Sequence, residues 1–209
     1  MKKPGLIIVL LFMAVGSMWA IPFLGVDTGL LFIINGEAAG APSPYILQGL
    51  GVTVPLIQEE NFFLYAGLLL YGCQYQWYVD RAVPADNELA DTIWTLLPQL
   101  DIRIGLPIKL SDNLTLGLSL GPALVCPIPL FAYDNGEAYR ARMFEYFYVN
   151  LKFLYGEVEI FLRWAIVQGI DLAIKVRSLY QLAAIWDAIG ISRLNGLQIQ
   201  GLISLEIKL

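Results

Sequence analysis

The sequence contains no histidine. Its absence removes the Ser–His–Asp arrangement and its variants, and with it the commonest transition-metal ligand. No catalytic residue, metal site or cofactor is expected. Cysteine is scarce. Cys73 and Cys126 are the two present; they lie in segments that are not sequence neighbours and form no disulfide framework, so both read as small apolar fillers. Charge is scarce too: Asp, Glu, Lys and Arg make up 15% of the chain, against roughly a quarter in a typical soluble domain. The balance is acidic, −5 overall, and offers nothing to nucleic acid. Charge-free runs long enough to be candidates for a membrane helix are few beyond the N-terminus. The charge-free stretches are residues 38–58, 61–79 and 114–133, and the first and third each hold three prolines. Elsewhere charges recur at alternate positions, which on a helix would scatter them into lipid.

What the chain does have is alternation. From Leu100 to Leu110 the even positions are Leu100, Ile102, Ile104, Leu106, Ile108 and Leu110, while Gln99, Asp101, Arg103, Gly105, Pro107 and Lys109 hold the odd ones. A period of two means a strand, with successive side chains on opposite faces. Ordinary strands run about 5–6 residues; this one is about twice as long, the length a tilted strand needs to cross a bilayer.

The N-terminal MKKPGLIIVLLFMAVGSMWA has the shape of a secretory signal: Lys2 and Lys3, an apolar run from Leu6 to Val15, then small residues. Residues 1–20 are expected to be the signal, cut after Ala20 or alternatively after Ser17, and residues 21–209 the mature barrel. The pattern predicts strands over 23–34, 45–56, 62–77, the stretch from about 94 to 110, 114–124, 143–154, 157–176 and 197–209. It predicts a short amphipathic helix around Leu179, Leu182, Trp186 and Ile189, which fall at helical spacing. The links alternate long, short, long, short, long, short, long. The fold expected is all-β: an eight-stranded antiparallel up-and-down transmembrane β-barrel, its short turns toward the periplasm and its long loops outside.

A soluble eight-stranded barrel would reverse the faces. Three features oppose it: the strands are long, their polar faces are rich in Gly, Ala, Ser and Thr, and the charges on those faces balance. Asp27, Asp101, Glu157, Glu159, Asp171 and Glu206 stand against Arg103, Lys109, Lys152, Arg163, Lys175 and Lys208. Such a set predicts an ion-pair network filling a narrow lumen, since buried charges need partners. Glu157 and Glu159 could form an acid/base pair, but salt bridges to Arg163 or Lys152 are the reading adopted. Tyr71, Tyr75, Tyr146, Tyr148 and Trp186 are candidates to line a ligand path. Trp77, Tyr78, Trp94, Phe144 and Tyr146 are placed at the outer rim, and Phe62 and Tyr155 at the inner, as interfacial girdles.

This arrangement of signal, eight alternating strands and short turns at one end resembles the small outer-membrane β-barrels of the OmpW and OmpX type. The resemblance implies residence in the outer membrane of a diderm bacterium, contact with its lipid, and handling by its insertion machinery during assembly. It also implies that the barrel enzymes of similar size, which rely on a catalytic histidine, are not a match. Two functions follow as expectations. An OmpW-like reading implies a narrow passage for small, apolar molecules, with the tyrosine-rich faces and the apolar last loop at its entrance. An OmpX-like reading implies a closed-lumen structural or adhesive barrel whose loops meet an extracellular host protein. The first is preferred at this point.

Overall fold

The computed structural model describes residues 22–34, 45–55, 62–85, 91–133, 136–185 and 196–209. In chain order these form β1 (Phe23–Ile33), β2 (Tyr45–Pro55), β3 (Phe63–Tyr78), β4 (Arg81–Pro84), β5 (Thr92–Ser111), β6 (Leu114–Val125), β7 (Ile128–Ala132), α1 (Glu137–Tyr148), β8 (Leu154–Val167), β9 (Ile170–Gln181) and β10 (Gln198–Lys208). Every pairing is antiparallel. β1 lies between β2 and β10, β10 leads through β9 and β8 to β6 and β5, and β5 pairs back to β3. Eight strands therefore close a barrel with no free edge, which removes the edge-pairing hazard of an open sheet. The short β4 and β7 prolong the wall above it, β4 on β3 and β7 on β5.

The links keep the alternation of lengths read from the sequence. Asp112–Asn113 and Gln168–Gly169 are two-residue turns at one end, where β2 also ends and β3 begins; the connections from β1 to β2, β3 to β5, β6 to β8 and β9 to β10 leave from the other end and are the long ones. Gly169 has φ of +83°, a conformation glycine takes without steric cost.

The faces sort as the pattern predicts. On the barrel strands β1, β2, β3, β5, β6, β8 and β9 the even positions point outward and the odd positions inward; on β10 the sense is reversed. The outward set is apolar and exposed: Val26, Leu50, Leu68, Ile104, Leu120, Ile160, Ile174 and Ile203 among many. A continuous apolar exterior has no place in water. From Leu24 to Phe32, eight steps of about 3.3 Å at a tilt near 40° rise about 20 Å, close to the apolar band of a membrane barrel. Among the described residues no helix is long and apolar enough to cross a membrane; the strands are the spanning elements.

Two of the eight expected strands are corrected. Residues 143–154 are not a strand: α1 and a 3-10 turn at Val149–Leu151 occupy that stretch. Tyr139, Met143 and Phe147 recur at a spacing of four and turn one helical face to the protein. Residues 157–176 are not one strand but the hairpin β8–β9. Paired residues such as Phe161 and Lys175 share parity, so the period of two runs straight through the turn and conceals it. One strand lost and one gained leave the total at eight. The expected helix near the last loop is also corrected: Leu179 is a buried β9 residue, and a 3-10 turn follows at Leu182–Ile185. Trp186 and Ile189 lie outside the described residues, as do the expected signal segment and its cleavage sites.

A charge-filled lumen as the candidate functional site

Inward residues stack in three tiers. At the short-turn end the floor is aromatic. Phe63 of β3 faces Gly105 of β5, and Phe161 of β8 faces Gly117 of β6. Each ring covers its glycine so closely that a Cβ at Gly105 would stand 2.1 Å from Phe63 Cζ, and one at Gly117 2.0 Å from Phe161 Cζ. Glycine at these cross-strand sites is what lets the rings lie flat into the lumen. The two rings meet edge to face at 5.6 Å. Below them opens a vestibule of about 440 Å³, lined by Phe23, Lys109, Arg163, Asp171 and Lys208 among others.

The middle tier is the ion network. Arg103 of β5 reaches Glu157 Oε1 at 3.0 Å, Glu159 Oε2 at 2.6 Å and Asp101 Oδ2 at 3.2 Å. Arg177 of β9 bonds Glu159 through Nε and meets Asp27 Oδ2 at 3.3 Å, Glu157 at 3.5 Å and Asp101 at 3.8 Å. Lys175 joins Asp27 at 3.0 Å to Glu206 at 2.9 Å, and Arg163 closes on Glu206 at 2.7 Å. The Tyr65 ring, 4.0 Å from the Arg103 guanidinium, fills the space above Gly51 and Gly67, and its hydroxyl donates to Asp27 at 3.0 Å. Asp27, Asp101, Arg103, Glu157, Glu159, Lys175, Arg177 and Glu206 are all buried. Among the described residues every barrel strand except β2 and β6 adds a charge or Tyr65; β6 adds Ser119, donating to Glu159 at 3.5 Å, and β2 adds the glycine space.

The upper tier is apolar and aromatic. Leu31, Leu47, Leu69, Cys73, Ile93, Leu97, Val125 and Leu179 have no exposed surface, and Tyr45, Tyr71, Tyr75 and Tyr155 pack among them. Between the tiers, Gln200 donates to Gln99 at 2.8 Å and Tyr71 to Gln198 at 3.1 Å. α1 closes the top: Met143 and Phe147 are buried in the same cluster, Phe147 edge to face with Tyr75 at 5.0 Å, Tyr146 with Trp77 at 5.9 Å.

The expected network thus assembles around Asp27, Asp101, Arg103, Glu157, Glu159 and Lys175, with Arg163 at its lower margin. Asp171, half-buried, and Lys109 and Lys208, exposed, belong to the vestibule. Lys152 is corrected: it lies after α1, over the Tyr146 ring at 3.6 Å, because its segment is not in the wall. The partners of Glu157 and Glu159 are likewise Arg103 and Arg177 rather than Arg163 or Lys152. Arg177 is the residue the sequence reading misses, since the strand was ended at Val176; its parity with Asp171, Ala173 and Lys175 was the available signal. Tyr71 and Tyr75 are lumenal and packed. Tyr146 packs on the core from α1, and Tyr148 stands at the rim, its hydroxyl donating to Pro127 O at 3.1 Å. Of the girdle residues, Trp77 points inward and Tyr155 is lumenal at the long-link end, whereas Trp94 and Phe62 face out. Cys73 and Cys126 are free thiols.

No family model and no curated protein sequence matches the chain. Solved structures do. Neisserial surface protein A superposes with a TM-score of 0.56 at 10% identity, covering 90% of this chain and 97% of that one. The N-terminal β-barrel domain of Pseudomonas aeruginosa OprF gives 0.50 at 8% identity, over 91% and 99%. With the closed ring of strands, the apolar exterior and the filled polar interior, the likeness identifies the fold: the chain is an eight-stranded antiparallel β-barrel of the small outer-membrane type.

Proposed function

We propose that the protein is an integral outer-membrane barrel of a diderm bacterium with a closed lumen, acting as a structural or adhesive scaffold through the face that carries its long links. The observation that supports this reading is the uninterrupted filling of the interior. The ion network spans the lumen at mid-height, and an apolar core capped by α1 stands on top of it. Eight strands enclose a space that side chains can fill, and here they do. The lumen filling weighs against the passage preferred from sequence, because the tyrosines expected to line it are packed rather than exposed. Glu157 Oε1 and Glu159 Oε2 each lie within reach of both the Arg103 and Arg177 guanidinium groups, which supports reading the two carboxylates as ion-pair partners. The long links carry β4, β7 and α1, and in barrels of this type such links face outside.

Planar-bilayer conductance of the refolded mature chain tests the reading. A folded barrel that gives no discrete current steps is expected. Discrete steps altered by Arg103→Ala or Arg177→Ala would establish a lumenal path and restore transport as the function.

A further inference from the structure

Above the barrel, one flank of the crown leaves apolar side chains in the open. On α1, Arg140, Phe144 and Tyr148 follow one another at a spacing of four, beside the face that buries Met143 and Phe147. Phe144 is half exposed, and its ring lies 4.8 Å from that of Tyr148, which is 5.9 Å from Phe153. β7 presents Ile128, Leu130 and Phe131 outward, Phe131 at 62% exposure. A groove of about 400 Å³ runs between the two elements, lined by Pro129, Glu137, Arg140, Ala141 and Phe144.

This flank continues the lipid-facing exterior of the barrel. Leu120 and Leu124 of β6 lead up into Ile128 and Leu130 of β7; on β5, Leu100 and Leu96 lead to Trp94, whose ring is 5.8 Å from that of Phe131. From Trp94 to Leu110, sixteen steps of about 3.3 Å tilted near 40° rise about 40 Å, against a hydrocarbon core of about 30 Å. On this side of the barrel the apolar surface therefore overtops the core and reaches headgroup level, the zone aromatic rings favour. The charges on the flank arrive already paired: Arg140 bridges Glu137, and its Nη1 donates to Leu130 O at 3.3 Å. Arg142 and Glu145 stand on the opposite, water-facing side of α1 and are exposed.

We infer that the flank formed by α1 and β7 is an interfacial element whose partner is the lipid surface: Phe144, Tyr148, Phe131 and Leu130 lie in the headgroup layer of the outer leaflet and seat that side of the crown on the membrane. This rests on the membrane-spanning reading, and the test separates the two. Phe144→Cys, Arg142→Cys and Ile160→Cys are made in a Cys126→Ser background, where the remaining Cys73 has no exposed surface. Each is labelled with an environment-sensitive fluorophore and refolded into phosphatidylcholine vesicles, with folding checked by heat-modifiable gel migration. Quenching by nitroxide lipid, with the nitroxide on the headgroup for positions 141, 142 and 144 and on the acyl chain for position 160, is compared with quenching by a water-soluble nitroxide. The ratio of lipid to aqueous quenching should be at least about twofold higher at 144 and 160 than at 142. Ala141→Cys, on the same flank, serves if Phe144→Cys does not fold. Position 144 or 141 matching 142 while 160 stays lipid-quenched overturns this inference alone and leaves the flank open to a protein partner. Loss of lipid quenching at 160 overturns the membrane reading with it.

Discussion

Arg177 has no exposed surface and lies within ion-pair reach of Asp27, Asp101, Glu157 and Glu159, carboxylates contributed by three strands. Removing a cation from such a site leaves buried anions uncompensated, which costs about 3–5 kcal/mol. Arg177→Met should therefore lower the unfolding free energy in urea by about that amount, while Lys109→Met at the exposed vestibule stays within about 0.5 kcal/mol. Equal losses for the two would mean that water reaches the network. At this scale the sequence is informative about kind and poor about pairing. The parity of Asp27, Asp101, Arg103 and Lys175 marks them as lumenal, but which carboxylate meets which guanidinium depends on strand register, and register is a matter of tertiary contacts. Glu157 shows the difference: Arg163, on the same strand, pairs instead with Glu206 of β10, two strands away.

β5 shows what one element can declare by itself. Its even positions from Leu100 to Leu110 are exposed and apolar, while Gln99, Asp101 and Arg103 are buried. A cationic side chain on the lipid face near mid-membrane costs about 2–4 kcal/mol. Ile104→Arg should accordingly fold into vesicles in much lower yield than Gln99→Ala, which loses a single hydrogen bond to Gln200, worth about 1 kcal/mol. Equal yields would invert the face assignment. Two other elements were legible only in part. The β8–β9 hairpin preserves parity across Gln168–Gly169, so periodicity cannot see it; the isolated Gly169 within the strand pattern was the available signal. In residues 143–154 aromatic residues are so dense that a period of two and a period of 3.6 both find apolar matches, and packing of Met143 and Phe147 against the lumen decided for the helix.

At the scale of the whole molecule, the network is walled off from solvent by the Phe63–Phe161 floor below and the apolar core above. Salt screens exposed charges over about 10 Å at 0.1 M but screens buried pairs much less. The urea midpoint of the vesicle-bound barrel should therefore move little between low salt and about 1 M salt; a steady fall with ionic strength would show a hydrated lumen. The count of eight strands came out right only because the strand expected at 143–154 offset the hairpin merged at 157–176, whereas the barrel, the sense of its faces and the polar character of its mid-height interior were carried by the sequence alone. They follow from a period of two and from the sign of hydropathy on each face, which are properties of the chain in order. That side chains fill the lumen was decided in three dimensions. The filling depends on Tyr65 reaching over glycines of β2 and β3, on Arg177 meeting Glu159 of the adjoining strand and Asp27 of β1, two strands away, and on α1 turning Met143 into the top. Each of these joins residues far apart in sequence, and no local pattern records the distance between them.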